Sequence, residues 1–63
     1  MNATTLVNTY RTATRSKTKL AGWKRNLTAY CRTRQAETGT PDYRYRAAIK
    51  SVLTKKGHNC DSI

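Results

Sequence analysis

Guanidinium and ammonium groups are the chemistry this chain holds in quantity. Lys and Arg number 13 against 3 Asp and Glu in 63 residues, a formal net charge of +10. They recur from Arg11 to Lys56, so the charge belongs to the folded body rather than to a detachable tail. Such density repels itself in a compact domain and implies an anionic partner: nucleic acid, a membrane surface or an acidic protein. Tyr43, Arg44, Arg46 and Lys50 cover the polar face near the start of the last amphipathic segment. A helix that reads a groove presents its side chains there, Arg to guanine or phosphate, Tyr to phosphate. Arg25 and Arg32 add cations to the outer side of the middle segment. An ordinary solvated helix face also carries Lys and Arg, but mixes in acids, and here these are nearly absent.

Other chemistries find too few groups. Glu37, Asp42 and Asp61 are the carboxylates, and no two are spaced as an acid–base pair, so no enzyme is expected. His58-Asn-Cys60-Asp61 invites a metal reading, yet zinc needs about four ligands and neither CxxC nor HxxxH spacing occurs, so no metal or other cofactor is expected. Trp23, Tyr30 and Tyr10 would suit a platform on which bases stack. Their helical spacing with Leu20 and Leu27 favours core packing instead. Tyr43 falls on a polar face and is the candidate exposed aromatic.

These side chains must be positioned by three amphipathic segments of helical period. In the last, Thr40 can cap, Pro41 suits the first helical position and Asp42 meets the positive end of the helix dipole. Lys55 and Lys56 load the final turn and Gly57 stands as the terminating glycine, which predicts a helix over 41–56. Tyr45, Ala48, Ile49, Val52 and Leu53 share a stripe of about 140°. The middle segment, about Lys19 to Gln35, aligns Leu20, Trp23, Leu27, Tyr30 and Cys31 on a face about 100° wide. Gly39-Thr40-Pro41 ends it and predicts an antiparallel partner for the last helix. The first segment, Ala3 to Thr14, aligns Leu6, Val7, Tyr10 and Ala13 behind a candidate Asn2 cap. A break at Arg15–Lys19 is favoured over one long helix. The Thr38-Gly39 turn before a capped helix suits a helix-turn-helix, but the long preceding helix fits a hairpin better.

The fold expected is therefore all-α: a helical hairpin or three-helix small domain over residues 1–57, with 58–63 as a disordered tail. A core this thin is marginal for so short a chain, and self-association as a homodimer is expected to cover its apolar faces. No segment approaches the roughly 20 apolar residues of a membrane span, and the start lacks the pattern of a signal peptide. A cytoplasmic protein with Cys31 and Cys60 as reduced thiols is expected, without a membrane partner.

With its Thr-rich start MNATTLVNTY, its LAGWKRNLTAYCRTR helix and its capped PDYRYRAAIKSVLTKKG helix, the whole chain resembles the very short, basic, helical proteins encoded in the early regions of lambdoid phages, between the exonuclease and excisionase genes. The resemblance implies a regulator of phage development or host takeover, acting in the host cytoplasm through DNA or a host protein. Two functions follow as expectations. The first is nucleic-acid contact through Arg44, Arg46, Lys50, Tyr43, Arg25 and Arg32. The second is an interaction module that docks on an acidic protein surface without touching DNA.

Overall fold

Asn2 opens the first element: in extended backbone, its Oδ1 accepts the Thr5 N–H at 2.8 Å, the bond expected of an N-cap. In the computed structural model, which describes residues 2–60 and residue 63, the chain forms α1 (Ala3–Ala13), α2 (Lys17–Thr38) and α3 (Asp42–Lys55). The many threonines of α1 are accommodated because hydroxyls turn back on the helix: Thr9 donates to Thr5 O at 2.7 Å and Thr14 to Arg11 O at 2.8 Å. The chain breaks at Thr14–Ser16, so the single long helix does not form.

α2 runs past the predicted end at Gln35. Ala36, Glu37 and Thr38 carry no apolar signal, but nothing stops a helix before Gly39. There the backbone turns left-handed, φ 76°, and the Gly39 N–H closes on Gln35 O at 2.8 Å. The start of α3 differs from its expected form. Pro41, not Thr40, holds the cap position and offers no side-chain acceptor. The Asp42 N–H donates instead to Gln35 Oε1 at 2.8 Å, so α2 caps α3 across the loop. At the far end Gly57 has φ 89°. Its N–H reaches Thr54 O and the His58 N–H reaches Leu53 O, each at 3.0 Å. This paired closure satisfies two terminal carbonyls and is the reason a glycine stands there.

All three pairs of helices touch, which makes this a three-helix domain rather than a bare hairpin. α3 returns along α2: Tyr45 meets Thr38 and Tyr30 near the loop, and Arg46 meets Thr28 farther down. The core comprises Leu6, Tyr10, Ala13, Trp23, Leu27, Cys31, Ile49, Leu53 and Cys60. Trp23 packs edge-on against Tyr10 at 4.7 Å, and its indole N–H donates to Leu6 O at 2.8 Å. Such a bond is what allows a tryptophan to be buried without a desolvation loss. Tyr10 and Trp23 are thus structural and cannot serve as a stacking surface.

Two expectations are corrected by the packing. The apolar stripe of α3 includes Val52, yet this residue stays 40% exposed while Ile49 and Leu53 are buried. The stripe was too wide: α1 and α2 close along the Ile49–Leu53 line, and Val52 lies about 80° round the helix from it. The tail expected to be disordered packs on the core over its described residues. Cys60 is buried, Asn59 O accepts the Tyr10 hydroxyl at 2.7 Å, and the His58 ring meets Tyr10 edge-on at 5.3 Å. Ile63 also lies against the core, while Asp61 and Ser62 of that segment fall outside the described residues. Tyr10 is the physical reason: a buried phenol needs a polar partner, and the tail supplies a carbonyl.

Candidate nucleic-acid interface

On α2, Arg25, Thr28 and Arg32 are spaced by three and four residues and so form one row along the helix. On α3, Tyr43, Arg46 and Lys50 form a second row by the same spacing. One hydrogen bond joins the rows: Arg46 donates to Thr28 Oγ1 at 3.1 Å. Thr28 in turn donates to Lys24 O at 3.1 Å, which fixes its hydroxyl as an acceptor for the guanidinium. With α3 antiparallel to α2, Arg32 lies toward the Tyr43 end of the seam and Arg25 toward the Lys50 end.

Five of the sequence-selected residues therefore line one seam between α2 and α3, on the side away from α1. Arg25, Arg32 and Tyr43 are exposed, Tyr43 at 64%; Lys50 is half-buried. Lys24, not selected from the sequence, is half-buried on the α2 row that faces α3. Arg44 is exposed but sits about 160° around α3 from Arg46, on another face.

Arg46 differs in exposure. Its place on the polar face leaves it open to guanine or phosphate, but it is half-buried and bonded within the seam. On the helical wheel Arg46 lies only about 20° from Leu53, seven residues on, so the placement follows from the period itself. Beneath it, burial pushes the Cys31 thiol up, against the opposing pull of the Arg46 charge.

Few carboxylates neutralise this surface. The ion pair present among the described residues joins Arg34 to Glu37 at 3.1 Å near the C-terminal end of α2. Asp42 sits at the start of α3, where the helix dipole holds an anion. Arg25, Arg32, Arg46 and Lys50 thus have no carboxylate partner among the described residues. Among those residues, no group of three His, Cys, Asp or Glu side chains gathers to hold a metal ion, and no helix is long and apolar enough to cross a membrane.

Fold and composition together define a small, strongly cationic three-helix protein, with Lys24, Arg25, Arg32, Arg46 and Lys50 along the rows that meet between α2 and α3. Compared with known proteins, the chain matches no family model, no curated protein and no solved structure.

Proposed function

We propose that this protein binds nucleic acid by clamping phosphates along the α2–α3 seam. One observation carries the reading: the Arg46–Thr28 bond sets two cation-bearing rows side by side, and none of their cations is in an ion pair among the described residues. A guanidinium already oriented by a hydroxyl loses less freedom on meeting a phosphate, and Arg presents its remaining donors in a fixed fork. Arg25, Arg32 and Lys50 extend the contact along the backbone, and Tyr43 offers a hydroxyl or a ring at one end. Because Arg46 is held inside the seam, phosphate contact dominates and base reading is secondary. The phage resemblance supplies a setting, a regulator of phage development acting on DNA.

The test is fluorescence anisotropy with a labelled duplex at low salt, using the parent, an Arg25→Ala/Arg32→Ala variant and an Arg44→Ala/Lys55→Ala control. Both variants remove two exposed cations. The seam variant should bind markedly more weakly than the control. No binding by the parent, or equal loss in both variants, would remove the seam as a site.

A further inference from the structure

The side of α3 opposite the cationic seam carries a different feature. Ala3 and Val7 of α1, Tyr30 of α2, and Tyr45, Ala48 and Val52 of α3 line an apolar groove of about 350 Å³. Val52 is exposed on its wall although its neighbours Ile49 and Leu53 are buried. From Tyr45 to Lys56 the groove runs about 16 Å, or three helical turns. It lies between two helices that both start at the same end, since Ala3 and Tyr45 line it together with Tyr30, which Tyr45 meets edge-on.

The charge at the groove's ends is uneven. At the Tyr45 end, Arg34 stands over the Tyr45 ring at 5.6 Å and is neutralised by Glu37. At the other end, Lys56 lines the groove, and Arg11 continues the Thr4–Val7 row of α1 at helical spacing. Neither Lys56 nor Arg11 has a carboxylate partner among the described residues. Among the described residues, no acid lines the groove.

We infer that the α1–α3 groove docks an amphipathic helix of a partner protein, apolar on one face and acidic at the end that meets Lys56 and Arg11. A helix is the occupant that fits, because a groove between two packed helices takes an apolar helical face and thereby completes a four-helix arrangement. A second copy of this chain is disfavoured by its charge: it would bring +10 against +10 with few acids to offer. The groove is separate from the nucleic-acid seam, so one molecule can hold both partners at once. The inference does not rest on the nucleic-acid reading.

Two fluorescent helical peptides of about 16 residues test it. They share a Leu face at three- and four-residue spacing, and one carries Glu on its polar face where the other carries Lys. The acidic peptide should bind at least about tenfold tighter, since like charges in register are penalised. It should shift the amide resonances of Val7, Ala48 and Val52 and leave those of Arg25 and Arg32 in place. Ala48→Gln and Val52→Gln change exposed positions and so leave the fold intact, which circular dichroism checks. Each should weaken the acidic peptide about tenfold while duplex binding stays at the parent level. Absence of acidic-peptide binding, equal binding of both peptides, or sedimentation showing that copies of this chain pair and thereby protect Val52, would overturn the inference. Arg25→Ala/Arg32→Ala should alter duplex binding alone, so failure of one site is distinguishable from failure of the other.

Discussion

Arg46 shows how a residue's type and its position carry different information. As an arginine it belongs to the cationic inventory; seven residues before Leu53 and three before Ile49, it belongs to the rim of the core. Both hold, since the side chain is half-buried yet keeps its charge at the seam. The two roles separate by substitution. Arg46→Gln keeps a donor for Thr28 and should leave the melting temperature nearly unchanged while weakening duplex binding. Arg46→Ala removes the donor and the packing as well, and should also cost about 1 kcal/mol of stability in denaturant unfolding. Tyr45 makes a second residue-scale case. Its hydroxyl shares a short hydrogen bond with Thr38, which holds its ionisation below the ordinary tyrosine value, with Thr40 and then the Arg34 charge adding to the effect. The folded form thus releases this proton more readily than the unfolded chain does. The linked stabilisation is fully present only above the unfolded value of about 10 and is lost as pH falls through the folded one, so it adds nothing at neutral pH. Absorbance titration should show one tyrosine ionising early, and Thr38→Val should return it toward the normal range.

At the scale of elements, the buried line of α3 is narrower than its apolar stripe, and this can be measured. Leu27 is fully buried and Val52 is not. Leu27→Ala should therefore cost about 2–5 kcal/mol, enough to unfold a marginal domain, whereas Val52→Ala should stay within about 0.5 kcal/mol. Similar melting of both variants would refute the packing described. All three helices were legible in the sequence because caps, glycines and 3.6-residue spacing act locally: Asn2, Gly39 and Gly57 stand where the expectations placed them. Three features depended on contacts that local pattern does not record. The Gln35 cap on Asp42 spans the loop between two helices. The tail docks through Tyr10 to Asn59, 49 residues apart, with no periodicity to announce it. Which edge of α2 meets α3 is set by packing, so the spacing of Arg25 and Arg32 alone does not show that they share a seam with Arg46. Of the six candidate residues, the fold sets Arg25, Arg32, Tyr43, Arg46 and Lys50 along one seam and leaves Arg44 on another face.

For the whole molecule, size and charge pull in opposite directions. The radius of gyration is 11.2 Å, close to the roughly 10.6 Å of a folded chain of this length. Tail residues Cys60 and Ile63 join the core. These contacts close the core within one chain. What remains is a compact body carrying +10, whose self-repulsion is strongest when salt is low. Added salt should therefore raise the melting temperature of the free protein and lower its affinity for duplex DNA. Four or five seam cations, each displacing a condensed counterion, give an expected log–log slope of about −4 to −5. Arg25→Ala/Arg32→Ala should flatten that slope by about two, since each removes one phosphate contact. Arg44→Ala/Lys55→Ala should leave the slope nearly as it was while raising the low-salt melting temperature, because it relieves repulsion without touching the seam. The measurements are anisotropy and thermal melting across one salt series. Equal flattening by any pair of cations removed would mean that the overall field binds the duplex and that the seam has no special part in it.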